Sequence, residues 1–127
     1  MNNSALCFCG SAISFQACCQ KHIDGREKTS TALALMKSRY SAYATNQADY
    51  LWETTHSSQR KFYSKTDISQ WATANEWQKL EIISATENTV EFKAYYLDEN
   101  KLNQIHHEFS TFKKENGTWF YVDGKFY

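Results

Sequence analysis

The chain has 127 residues, with 14 basic and 14 acidic side chains, so two full domains do not fit and nucleic acid is not the default partner. Hydrophobic residues make up 42% and aromatics 16% of it, which excludes disorder over most of the length and points to an aromatic core. No stretch approaches the ~20 apolar residues of a membrane helix, and no charged-then-apolar leader precedes Cys7, so a cytoplasmic protein with reduced thiols is expected.

Residues 1–3 carry no structural signal and are expected to be disordered. Cys7-Phe8-Cys9-Gly10-Ser11 reads as a tight turn in which Gly10 takes positive φ and backbone amides point at the thiolates. Ser11 or Ser14 can cap a helical turn through Phe15 to Cys19, returning Cys18 and Cys19 to face Cys7 and Cys9. All four cysteines fall in this stretch, and four thiolates supply the closed tetrahedral shell of a structural zinc. His22, three positions after Cys19, is a candidate substitute ligand. The other readings are free buried thiols, a Cys18–Cys19 vicinal disulfide, or an iron–sulfur cluster, for which so small a knuckle offers little apolar cover.

The pattern C-x-C-G-S-x5-C-C resembles the SEC-C zinc motif, known as the tail of the preprotein translocase ATPase and as an appendage on many bacterial proteins. The resemblance implies Cys7, Cys9, Cys18 and Cys19 as ligands, the last being His or Cys among relatives. Two positions depart from the motif: its usual proline is Phe8, and its usual second glycine is Ala12.

Residues 23–30 form a polar connector, and Thr29, Ser30 or Thr31 caps the next helix. Leu33, Met36, Tyr40, Tyr43 and Ala44 recur at three and four residues, drawing one apolar stripe down a helix over residues 31–46. Arg39 lies beside the stripe, either as a snorkelling stem or as a pocket-facing guanidinium. Asp49 is expected to cap a short second helix through Thr55, closed by His56, for which a solvent-facing helix end is the plainer reading. Thr66 or Asp67 caps a third helix to about Asn75.

From there the period becomes two. Residues 77–85, 90–97, 102–113 and 118–122 are β-rich runs separated by Glu87-Asn88, Asp98-Glu99-Asn100 and Asn116-Gly117, which makes an antiparallel meander. Asn116-Gly117 signals a two-residue type I′ turn. It sets Glu115 opposite Thr118, Phe112 opposite Tyr121 and Ser110 opposite Asp123. One face of that ribbon then carries Glu108, Ser110, Phe112, Trp119, Tyr121 and Asp123, a mixture suited to the floor of a ligand cavity. Desolvation there raises a carboxyl pKa, so Glu108 and Asp123, with His56, are the candidate proton carriers; Arg39, Tyr43, Ser110 and Tyr121 are candidate pocket residues.

Three helices followed by a twisted antiparallel sheet resemble the cone-shaped fold of the nuclear-transport-factor-2-like superfamily. With the cysteine motif, the stretches Met36-Lys-Ser-Arg-Tyr-Ser-Ala-Tyr43, Asp49-Tyr-Leu51, Glu108-x-Ser-x-Phe112 and Gly117-x-Trp-x-Tyr-Val-Asp-Gly124 resemble the YchJ-like family of small bacterial proteins. The expected fold is α+β: a zinc knuckle (1–22), a linker (23–30) and a cone of about three helices packed on a curved antiparallel sheet (31–127).

Three functions are compatible with this reading. The first is a binding or adaptor protein whose knuckle meets a partner through Phe8, Phe15, Lys21 and Arg26 and whose cone holds a small-molecule ligand. The second is a metal-independent acid–base enzyme of isomerase, dehydratase or hydrolase type using Arg39, His56, Glu108, Tyr121 and Asp123, and the third is a homodimerising structural domain. Metal catalysis is disfavoured, because four protein ligands leave zinc no open position.

Overall fold

A computed structural model describes residues 5–127; the expectation of disorder for residues 1–3 lies outside the described residues. The elements are α1 (Gln20–Ile23), α2 (Ala32–Ala44), α3 (Ala48–Glu53), a 3₁₀ turn (Arg60–Phe62), α4 (Lys65–Ala74), β1 (Glu76–Ala85), β2 (Thr89–Leu97), β3 (Asn103–Glu115) and β4 (Thr118–Phe126). The strands pair in chain order as one antiparallel sheet. Among the described residues no helix is long and apolar enough to cross a membrane.

The caps follow local chemistry more than the expected positions. Thr31 Oγ1 accepts from Ala34 N and starts α2. Ser64, not Thr66 or Asp67, caps α4 by accepting from Asp67 N. Asp49 lies inside the first turn of α3, where its carboxylate favours the positive helix end, and Gln47 takes the cap position without a side-chain bond.

Helix α2 is not the one-sided stripe its apolar spacing predicts. Ser38, Ser41 and Ala42 are as buried as Leu35 and Met36, because their small side chains let α3 and the N-terminal knuckle approach faces that a hydropathy count reads as polar. Ser38 Oγ donates to Leu35 O at 2.8 Å and sits 2.6 Å from Tyr50 Oη, so its hydroxyl is satisfied at no exposure. On the sheet side Leu35, Met36 and Tyr40 meet Val90, Phe92, Phe112, Trp119 and Tyr121 in the main core.

Asn116 and Gly117 both take positive φ (53° and 79°), and Glu115 faces Thr118 while Phe112 faces Tyr121, as a type I′ hairpin requires. One step later the register slips. Thr111, not Ser110, stands opposite Asp123, and Ser110 faces Gly124, so Val122 is the extra residue of a bulge.

The β4 edge is covered where it matters. Tyr121 N donates to Thr54 O and His56 N donates to Tyr121 O, both at 2.8 Å, so the segment after α3 runs beside β4 as a short parallel bridge at Thr55. That pairing satisfies edge groups that would otherwise be open. It also brings the end of α3 onto Tyr121.

Candidate functional site

Two groups of side chains stand out, one in the knuckle and one beneath the helices. In the knuckle, Cys7 N donates to Ile13 O (2.8 Å) and Phe15 N to Ala5 O (2.9 Å). This closes a loop turned by Gly10 at φ 87° and Ala12 at φ 65°. Ala12 therefore occupies a left-handed conformation that glycine adopts without steric cost.

The four cysteine Sγ atoms all lie within 4.8 Å of one another, and the set could hold a metal ion. A tetrahedron of thiolates at ~2.3 Å from zinc has edges of about 3.8 Å; Cys9 and Cys18 Sγ are 3.7 Å apart. The donor set fits a closed shell. The close cluster is of the four cysteines alone; His22 Nδ1 lies 2.8 Å from Glu27 O, which ties α1 to the connector.

Hydroxyls as well as the Cys9 amide point at the sulfurs. Ser11 Oγ donates to Cys18 Sγ at 3.2 Å, and Ser41 Oγ of α2 lies 3.5 Å from Cys7 Sγ. Hydrogen bonds from Cys19 and Cys9, with smaller help from the Cys9 amide and Ser41, lower the Cys7 thiol, while donating to Cys7 and Cys9 holds the proton on Cys19 and raises it. Four apposed sulfurs, three of them on buried cysteines, cannot all be ionised without a cation.

The knuckle is seated on the cone. Cys7, Cys9 and Cys19 pack with Leu80 of β1 and Ile23, and Ile23 also joins the cluster of Ala42, Leu51 and Ile68. Lys21 and Arg26, expected as a cationic contact surface, pair with Glu27 (3.2 Å) and Asp24 (3.4 Å). Phe15 is half-buried and packs edge-on to Phe8, with ring centroids 5.4 Å apart.

Beneath the helices lies a cavity of about 150 Å³ lined by α2, Thr55 just after α3, Tyr63, α4 and all four strands. Glu108 is its polar floor. Its Oε1 accepts from His106 Nε2 (2.7 Å), and its Oε2 accepts from Ser110 Oγ (2.6 Å) and Tyr121 Oη (2.8 Å). Burial pushes the Glu108 carboxyl up, as expected, but donation from His106, Ser110 and Tyr121 outweighs it and leaves the group below its usual range. The expectation of a raised pKa is thereby corrected: desolvation is opposed by three donors that the cavity position itself supplies. Tyr121 in turn is pushed well above a normal phenol by burial and by the Glu108 charge.

Arg39 is the second charge at the cavity. Only 8% exposed, it donates from Nη1 to Leu51 O (2.9 Å) and Thr54 Oγ1 (2.7 Å), and its Cζ stands 4.6 Å over the Tyr121 ring. It faces the pocket and is not a snorkelling stem. The wall is aromatic: Trp77 packs against Tyr43 at 5.6 Å and Trp71 at 6.0 Å.

Arg39, Tyr43, Glu108, Ser110 and Tyr121 are thus brought together at one cavity. Asp123 and His56 are not. Asp123 is exposed, because the bulge at Val122 turns it onto the outer face beside Thr111. His56 is buried elsewhere, between Glu115 Oε2 (3.0 Å) and Ser58 Oγ (2.8 Å) with its ring against Phe120. The sequence reading missed His106 and Gly124. His106 was legible, since it shares the strand face of Glu108 and Ser110 at alternate positions. Gly124 was not: a Cβ there would meet Glu108 Oε2 and come within 2.6 Å of Cδ, a contact that exists only because of the shifted register.

An α+β cone whose helices cover a polar-floored cavity, preceded by a four-cysteine knuckle, defines the class. Residues 31–124 match the family described as YchJ, middle NTF2-like domain, and the chain belongs to that family. It is 36% identical to a UPF0225 protein of Geobacter sulfurreducens over 94% of this chain and 78% of that one. To a UPF0225 protein of Photorhabdus laumondii it is also 36% identical, over 94% and 79% of the two chains. Among solved structures it is similar to a SEC-C motif containing protein from Rhodopseudomonas palustris (TM-score 0.86, 32% identity, 94% of this chain and 96% of that one). A sec-c motif containing protein from Psychrobacter arcticus is also similar (TM-score 0.81, 30% identity, 97% and 84%). Both resemblances drawn from the sequence, knuckle and cone, hold.

Proposed function

We propose that this is a cytoplasmic zinc-binding protein whose cone receives a small molecule, the zinc at Cys7, Cys9, Cys18 and Cys19 being structural. The observation that carries the reading is the convergence of Arg39, Glu108, Ser110 and Tyr121 on one aromatic-walled cavity, a mostly apolar enclosure with a few aimed polar groups. The zinc serves to fasten the knuckle against Ser41 and Leu80, because a closed thiolate shell leaves no site for substrate.

Two measurements test this. Elemental analysis of the purified chain should give one zinc per molecule, and iron with sulfide in its place would overturn the assignment. Benzene fills an engineered cavity of about 150 Å³ in another protein; titrated here, it should shift the NMR signals of the Trp77 indole and Ala94 methyl. No shift at saturation would show that the cavity is not open to ligands.

The knuckle also supports an adaptor role. Leu6, Phe8 and Ile13 are 64%, 44% and 52% exposed, an apolar tip at the end of a braced turn. A partner held there should be lost from pull-downs with Phe8→Ser and Ile13→Ser while zinc content stays at one. Equal recovery with the variants would end that role.

A second reading is favoured by the 2.7 Å contact between His106 Nε2 and Glu108 Oε1. A carboxylate that orients an imidazole at a cavity is the arrangement of an activated base. His106, one-third exposed at the side chain, would then carry the proton, with Glu108 as the positioning residue. Exchange of a carbon-bound proton for solvent deuterium in a bound carbonyl compound, lost in His106→Gln, tests it.

A further inference from the structure

The polar groups of the cavity are unevenly satisfied. Glu108 accepts from three donors, whereas every hydrogen bond of Arg39 among the described residues leaves from Nη1 and ends on a neutral oxygen. None of the ion pairs among the described residues includes Arg39. No buried side-chain nitrogen or oxygen among them lacks a partner. Nε and Nη2 of Arg39 are therefore not sealed in protein, and Arg39 lines this cavity. Half of the guanidinium is thus left to pair with whatever fills the cavity, and the partner it favours is an anion.

Resting on the reading of the cavity as a ligand site, we propose that its ligand is a ring-sized monocarboxylate, its carboxylate on Arg39 and its ring against Trp77, Tyr43 and Phe92. The planar guanidinium edge formed by Nε and Nη2 matches the two oxygens of a carboxylate. The volume of about 150 Å³ holds one six-membered ring and little more. A phosphate-type dianion is disfavoured on two counts: Arg39 is the one Lys or Arg lining the cavity, and the ionised Glu108 on its floor repels a second negative charge. A cationic amine is disfavoured because Glu108 already has its donors and Arg39 would repel the newcomer. The Thr54 and Leu51 contacts on Nη1 hold the fork in place before the ligand arrives, which lowers the ordering cost of binding.

The test uses the full zinc-loaded chain and three probes of one shape: benzoate, benzamide and benzylamine, followed by calorimetry and by the Arg39 Nε–H NMR signal. Benzoate should bind at least ten-fold more tightly than either other probe and should shift Arg39 Nε–H. Arg39→Lys, which keeps the charge and loses the fork, should weaken benzoate at least ten-fold and bring it level with benzamide. Comparable binding of all three probes, or benzoate binding without a shift at Arg39, overturns the anion assignment while benzene-sensitive signals leave the ligand cavity standing. If benzoate fails to bind and benzene also shifts nothing, the inference and the cavity reading fall together.

Discussion

The knuckle and the cavity differ in how far apart along the chain their parts lie. The knuckle's cysteines span Cys7 to Cys19, and a bridge between Leu6 and Ser14 closes the loop that holds Cys7 and Cys9. The cavity draws on residues from Met36 to Phe126, and its polar centre exists because three separate devices coincide: the small face of α2, the parallel bridge at Thr55 and the bulge at Val122. A metal site of soft ligands tolerates modest errors of backbone placement, since sulfur and zinc supply most of the binding energy themselves. A hydrogen-bonded carboxylate in an apolar cavity does not, because each missing donor leaves an unsatisfied charge. The lesson is that the more local site is also the more forgiving one.

Removal of the proposed zinc should have the largest effect. Cys19→Ser should abolish stoichiometric zinc and the charge-transfer absorption of a cobalt-substituted protein. It should also lower thermal stability well beyond a surface change, because zinc-finger peptides draw roughly 10 kcal/mol or more from their metal. His22→Ala should leave zinc content at one per chain. A fall in zinc would put His22 back among the ligands.

Next in size is Gly124→Ala, which forces Glu108 away from Ser110 and Tyr121. Breaking a buried charged network costs about 3 kcal/mol, read as a lowered urea midpoint, and a cost under ~1 kcal/mol would mean that Glu108 moves freely. Glu108→Gln supplies the matching pH signature. The carboxyl pKa is lower in the fold than in the unfolded chain, so its contribution is fully present above about pH 4.3 and is lost as pH falls through the lower folded value. The stability gap between the native chain and Glu108→Gln should therefore narrow as pH is lowered below 4. Acid loss of zinc affects both chains and cancels in the difference. A gap that is flat with pH would show that Glu108 is not held as a carboxylate.

Smaller effects sharpen the contrast from the other side. Ala12→Gly should stabilise the knuckle by about 1 kcal/mol, since the residue sits at φ 65°; a lower melting temperature would contradict that backbone. Asp123→Asn should change stability by no more than about 0.5 kcal/mol and leave benzoate binding untouched, as expected of an exposed group. Any marked effect would place Asp123 back in the cavity.

Local features were legible in the sequence: the grouping of four cysteines by their spacing, the positive-φ turn at Asn116-Gly117, the period change from helix to strand, and Glu108, Ser110 and Tyr121 on one face of the β3–β4 ribbon. Each rests on interactions within a few residues or on the two-residue repeat of a strand, which is why it can be read without coordinates. Burial of α2 on several sides, the turn of His56 to Glu115, the pocket-facing Arg39 and the departure of Asp123 from the pocket came from long-range packing. Those outcomes depend on which surfaces meet. A single extra residue at Val122 reverses a side chain's face, and nothing in Tyr121-Val-Asp123 marks where a bulge falls until Thr54 to His56 are laid along the strand.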